Sequence, residues 1–259
     1  MPASLRIIPR LDIKGNNLIK GVQLEGLRIV GDPHVYALNY YKSGADELLF
    51  MDIVASLYQR NNLTDIISRL ADQIYIPITV GGGIRSLEDV GKLMQSGADK
   101  VSINTAAIAR PVLIAEVARR FGSQCMVLGI EAKRVAEGKW EAYTDNGRER
   151  TGKDVIEWVK QAVKLGAGEV LLTSVDQEGT RKGLDLALIR QVCDAVNVPV
   201  VASGGFGSVA ELALASDCGV SGIAIADALH WKRLGLPGIK EAAAAAGLDV
   251  RAVTAMDSQ

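Results

Sequence analysis

Short runs of Ile, Val and Leu alternate along the chain with longer stretches in which apolar residues recur every three or four positions. The runs predict strands near 6–11, 47–52, 76–80, 100–103, 125–130, 169–173, 198–202 and 222–225. The amphipathic stretches predict helices near 33–43, 61–73, 86–96, 111–120, 152–164, 185–195, 207–215 and 236–246. Strands that are apolar throughout suit a parallel sheet covered on both faces. Eight strand–helix units in two equal halves predict an α/β protein of the (β/α)8 barrel type, one domain over 1–259 with half-barrels of about 1–124 and 125–259. A doubly wound open sheet explains neither the even count nor the duplication.

That duplication is written in the residues. Gly44-Ala45-Asp46-Glu47-Leu48-Leu49 returns as Gly166-Ala167-Gly168-Glu169-Val170-Leu171. Pro77 to Gly83 returns as Pro199 to Gly205, and Gly97 returns as Gly219. All three pairs are 122 residues apart, so one unit occurs twice. Two connections are long. Residues 13–31 predict a mobile lid, and Arg134–Arg150, with Asp145-Asn146-Gly147, predicts a hairpin over the barrel top. Asp32-Pro33 reads as a helix start, and the tail beyond Asp249 as frayed.

Composition narrows the function. A net charge of −1 gives no basic field for nucleic acid or anionic lipid, so an anion site has to be local. The start Met1-Pro2-Ala3-Ser4-Leu5-Arg6 lacks a leader pattern, and no apolar run reaches membrane-spanning length. Cys125, Cys193 and Cys218 have no metal-type spacing; they fit a reducing cytoplasm and call for no metal or other cofactor.

Barrel enzymes react at the C-terminal ends of their strands. Strand one ends at Asp12 and strand five at Glu131, across the barrel from each other, which predicts two carboxylates flanking one ligand as acid and base. Gly81-Gly82-Gly83 and Ser203-Gly204-Gly205 close strands three and seven, where bare backbone can cradle a phosphate. A ligand with a phosphate at each end follows. Asn104 and Thr105 complete the first cradle. The copy has Ala226 and Asp227, and an Asp at a helix start reads as an N-cap that takes the amides a phosphate needs. Thr173 and Gly179 join the candidate substrate contacts. Arg6, Glu47, Lys100 and Glu169 begin strands one, two, four and six; by residue type alone they read as a salt-bridge layer closing the barrel floor.

These blocks resemble the cyclase subunit of imidazole glycerol phosphate synthase, of histidine biosynthesis. The likeness runs from about Arg6 to His230 through Arg6-Ile7-Ile8-Pro9 with Asp12, Gly44-Ala45-Asp46-Glu47-Leu48, Thr79-Val80-Gly81-Gly82-Gly83-Ile84-Arg85-Ser86 and Gly97 to Thr105. Phe121 to Gln124, Gly166 to Glu169 and Ala202 to Gly205 extend it. The resemblance implies a duplicated half-barrel, a two-phosphate ribonucleotide substrate and acid–base roles for Asp12 and Glu131. It also implies ammonia from a separate glutaminase subunit docked at the N-terminal barrel face, entering past Arg6, Glu47, Lys100 and Glu169, with Asp99 at the contact.

Several positions depart from the family pattern. Glu131 stands for an aspartate, Arg10 for a cysteine, Glu178 for the acid of an Asp-Gly pair and Asp227 for a small hydroxyl residue; Gly15 to Ile19 lacks an Asp-Gly-Arg. Three readings remain open at this point: the histidine-pathway cyclase, a paralogue channelling ammonia to an amidotransferase for acetamidino surface sugars, and a phosphoribosyl isomerase. The floor charges and the Lys100 block speak against the last.

Overall fold

The computed structural model describes residues 4–53 and 63–253. The first two residues of the helix expected from 61, the end of the tail and the first three residues of the start lie outside them.

Eight strands form the barrel: β1 (Arg6–Lys14), β4 (Leu48–Asp52), β5 (Ile78–Gly81), β6 (Lys100–Ile103), β7 (Met126–Ala136), β10 (Glu169–Ser174), β11 (Val200–Ser203) and β12 (Gly222–Ile225). Each pairs in parallel with the next, and β12 pairs back with β1, so the sheet closes. The helices α1 (Pro33–Lys42), α2 (Leu63–Ala71), α3 (Leu87–Gln95), α5 (Val112–Phe121), α6 (Val155–Leu165), α7 (Leu186–Ala195), α8 (Ala210–Asp217) and α10 (Leu236–Ala245) follow strands in turn. Short α4 (Thr105–Ala109) and α9 (Asp227–His230) start directly after β6 and β12, a matched pair the periodicity did not reveal because four or five residues hold no period.

Strand alternation sorts the side chains into layers. Along β1, Ile7, Leu11 and Ile13 point outward into the large core shared with the helices. Ile8 points inward and packs with Leu49, Val127, Leu171, Val201 and Ala224 in a separate aliphatic layer. Arg6 lies below that layer, and Arg10 and Asp12 above it. The caps follow the sequence: the Asp32 side chain accepts from the His34 amide at 2.8 Å, with Pro33 at the first helical position, and Ser86 and Asp89 cap α3 reciprocally.

The duplication is also physical. A Cβ at Gly82 would stand 2.1 Å from the Asp52 carbonyl, and one at Gly204 2.5 Å from the Ser174 carbonyl. Asp52 and Ser174 are themselves 122 residues apart, so the same close approach demands glycine twice.

Residues 13–31, the expected lid, fold as strands: β2 (Asn17–Val22) pairs antiparallel with β1, and β3 (Glu25–Gly31) with β2. Two expectations need correction. The stretch after strand five is longer than Arg134–Arg150. β7 runs on to Ala136 and forms a three-stranded ribbon with β8 (Lys139–Thr144) and β9 (Glu149–Asp154); Asp145-Asn146-Gly147 turns between β8 and β9, all three at positive φ. The tail just past Asp249 is anchored, with Arg251 Nε 2.8 Å from Asp46 Oδ1.

Candidate active site

A cavity of about 460 Å³ opens at the C-terminal end of the barrel. Its wall includes Gly82 and Gly83 after β5, Asn104 and Thr105 after β6, Glu131 of β7, Thr173 of β10 and Arg10 of β1. The Asn104 side chain donates to the Tyr143 carbonyl at 3.0 Å, while its Oδ1 is buried without a hydrogen-bond partner. An unpaired buried acceptor suits a bridging water, while the bare backbone beside it leaves room for an anion.

The two expected carboxylates do not share this cavity equally. Glu131 faces it and accepts from the Gly147 amide at 2.8 Å. Burial pushes its carboxyl up to about 7, against the Gly147 amide and the Arg10 charge, which pull it down. Asp12 is not among the wall residues; it is 2% exposed, tucked behind the Arg10 guanidinium. Arg10 Nε donates to Asp12 Oδ1 at 2.9 Å, and its Nη1 to Thr173 Oγ1 at 3.0 Å and Ser203 Oγ at 3.1 Å. Burial alone would raise the Asp12 carboxyl, but Arg10 and then Lys20 outweigh it and hold the pKa below the usual carboxylate range. So the pair splits into an ionised carboxylate and a carboxyl able to carry a proton near neutrality.

Lys20, on β2, was not singled out from the sequence. It is buried, ion-pairs with Glu178 and lies 3.8 Å from Asp12. The Gln23 amide donates to the Glu178 carbonyl at 2.7 Å, so the β2–β3 hairpin is fastened over Glu178 and Gly179. A lysine in a hairpin carries no periodic signal. Arg10 does carry one, since Arg6, Ile8, Arg10 and Asp12 share one face of a strand.

Gly179, Ser203, Gly204, Gly205 and Asp227 come together as well, around a separate space of about 20 Å³. Arg10, bridging β1 to β10 and β11, stands between the two cradles. The N-cap reading of Asp227 is corrected. Ala226 is the cap residue, and the Asp227 carboxylate lies between Arg181 and Arg233 instead.

At the floor, Arg6 bonds Glu47 at 2.7 Å and Glu169, and Lys100 bonds the same two acids at 2.9 and 2.7 Å. Thr79 donates to Glu47 at 2.6 Å. The four charges alternate in a closed ring beneath the aliphatic layer. Asp99, exposed on the same face, accepts from the Ile78 amide at 2.8 Å.

Comparison with known proteins decides the family. The profile of the histidine biosynthesis protein family matches residues 6–235. The imidazole glycerol phosphate synthase subunit HisF of Legionella pneumophila is 62% identical over 209 residues, 81% of this chain and 99% of that protein. Those of Gluconacetobacter diazotrophicus and Thermobifida fusca are each 47% identical, over 247 and 256 residues; the matches cover 95% and 97% of this chain and 96% and 100% of theirs. The chain belongs to this family. It is a cyclase-type barrel of histidine biosynthesis, and the surface-sugar reading finds no support among these relatives. Among the described residues no helix is long and apolar enough to cross a membrane.

Proposed function

We propose that the chain is the synthase subunit that joins ammonia to a formimino-aminoimidazole carboxamide ribonucleotide carrying two phosphates. The products are imidazole glycerol phosphate, an aminoimidazole carboxamide ribonucleotide and water, the oxygen leaving from the carbonyl carbon that ammonia attacks, which makes it a lyase-type cyclase. The observation that carries this reading is the division of labour between Glu131 and Asp12 above an intact charged floor. Ammonia sheds a proton as it bonds to carbon, and the departing amine takes one up, so the reaction needs a base and an acid near neutrality. Asp12, held ionised by Arg10 and Lys20, supplies standing negative charge; Glu131, at about 7, supplies an exchangeable proton.

In this reading the first cradle, Gly82 and Gly83 with Asn104 and Thr105, anchors one phosphate, and Arg10, Thr173 and Ser203 line the middle of the substrate. The ring of Arg6, Glu47, Lys100 and Glu169 is the ammonia entrance, opposite the reacting face. A glutaminase subunit docks there against Asp99, forming a cytoplasmic heterodimer. No resident cofactor is called for.

The test is purified protein with ammonium salt and the formimino ribonucleotide, followed by loss of substrate absorbance. Turnover that vanishes in Asp12→Asn supports the reading. No turnover, together with failure to rescue a histidine auxotroph, overturns it.

A further inference from the structure

The two glycine cradles are copies in backbone and differ in the charged groups set beside them. Gly82 and Gly83 have φ of +94° and +71°, and Gly204 and Gly205 have +96° and +100°. The first pair opens on the large cavity beside neutral Asn104 and Thr105. The second opens on about 20 Å³, room on the order of one water and too little for a phosphate.

Asp227, the counterpart of Thr105, lines that space. Its Oδ1 lies 3.4 Å from Arg181 Nε and 3.5 Å from Arg233 Nε, and it is buried without a hydrogen bond. A buried carboxylate oxygen with two cations at arm's length and no hydrogen bond is held by charge alone. Both arginine side chains are nearly half exposed, at 48% and 42%, and so are free to re-aim. Two arginines beside a bare-backbone turn are what a phosphate monoester would use, by forked hydrogen bonds that the present pairing does not make.

We propose that Asp227 is an internal anion standing in the second cradle, and that Arg181 and Arg233 are the phosphate ligands it masks. A phosphate monoester enters by exchanging with the carboxylate. The two cradles are then unequal: the first binds its phosphate directly, and the second binds only after Asp227 is displaced. Ligands with one phosphate occupy the first cradle alone. The inference rests on the proposed function only for the identity of the substrate that brings the second phosphate.

The probe is inorganic phosphate, titrated into the full chain and followed by 31P NMR. The wild type shows one saturable site. Asp227→Ser gains a second, at least about tenfold tighter than any second site in the wild type, because a like charge no longer competes. Adding Arg181→Ala and Arg233→Ala removes it again. The converse variant, Thr105→Asp, abolishes the wild-type site. Thermal melting confirms that each variant folds; where Asp227→Ser is unstable, Asp227→Asn, which keeps the volume and drops the charge, is read for the same gain. Equal phosphate counts and affinities in the wild type and the neutral variant overturn the proposal, as does a second site that survives loss of both arginines. Phosphate counting needs no turnover. An inactive protein that behaves in this way sinks the cyclase reading alone; an active one with an unchanged count sinks this inference alone.

Discussion

Asp12 and Glu131 occupy equivalent positions in the two halves of the barrel. Asp12 stands opposite Met51 in the β1–β4 register, and Glu131 opposite Thr173 in the β7–β10 register; Met51 and Thr173 are 122 residues apart. The carboxylates themselves are 119 apart, because the second excursion is three residues longer. By the same register, the counterpart of Arg10 is Gly129. Burial raises both carboxyls, but only Asp12 has a guanidinium hydrogen-bonded to it to outweigh that burial, so the two are shifted in opposite directions.

The first consequence is a pH dependence of stability. The Glu131 carboxyl moves from an ordinary 4.5 to about 7 on folding. Between those values the folded chain holds a proton that the unfolded chain has released. The stabilisation is fully present below about 4.5 and is lost as pH rises through about 7, an effect on the order of 3 kcal/mol. His230 acts with the opposite sign, since burial pushes it down to about 4 and stability falls as pH drops toward that value. Thermal melts of the wild type and Glu131→Gln across pH 4 to 8 share the His230 contribution. Their difference isolates Glu131, and parallel curves would count against a raised carboxyl.

Arg10→Met tests the other member of the pair. It removes the hydrogen bonds to Asp12, Thr173 and Ser203 and leaves Asp12 with Lys20 at 3.8 Å. We expect a loss of about 3 kcal/mol in denaturant unfolding, the cost of stripping one partner from a buried pair. The Asp12 carboxyl should also titrate at higher pH, read by carbon NMR of labelled aspartate. An Asp12 titration unchanged from the wild type would mean that Lys20 and burial, not Arg10, set its charge.

The barrel itself was legible because its signals repeat. Eight apolar runs and a 122-residue offset constrain one another, and each half confirms the other. The paired glycines were legible for the same reason, since a backbone that approaches Asp52 and Ser174 tolerates no side chain in either copy. What stayed hidden was long-range and unpaired. Lys20 reaches Glu178 across more than 150 residues of sequence, and Arg181 and Arg233 meet Asp227 only after two turns have folded. Both acids showed as strand-end carboxylates, but the covering of Asp12 by Arg10 depends on which rotamer fills the barrel centre. No spacing encodes that.

Gly82→Ala should damage the first cradle without touching a polar group. The added Cβ would meet the Asp52 carbonyl at 2.1 Å, at a φ of +94° that side chains rarely adopt. Strain alone costs roughly 1–3 kcal/mol, and the clash must add to it by moving the backbone. We expect a lower melting temperature together with loss of phosphate binding in the 31P titration. Gly26→Ala, at φ +61° with nothing within 4 Å of its Cβ, is the control: similar strain, a smaller stability loss and normal phosphate binding.

The floor ring makes the sharpest demand on the proposed function. Arg6 and Lys100 each bridge Glu47 and Glu169, so Glu169→Gln leaves two cations sharing one acid at the barrel entrance. The surplus positive charge loosens both side chains and changes what stands at the axis, while Glu131 and the first cradle, on the other side of the aliphatic layer, are undisturbed. Under the proposed function, ammonia delivered by a bound glutaminase has to pass the ring, whereas ammonia from bulk salt can also enter through the cavity at the opposite end. We therefore expect turnover driven by glutamine to fall at least about tenfold more than turnover driven by ammonium salt, with the assembled pair used in both assays. Comparable losses in the two assays would show that the ring closes the barrel floor and admits nothing, and that the acid and base above it receive their nucleophile from the solvent side.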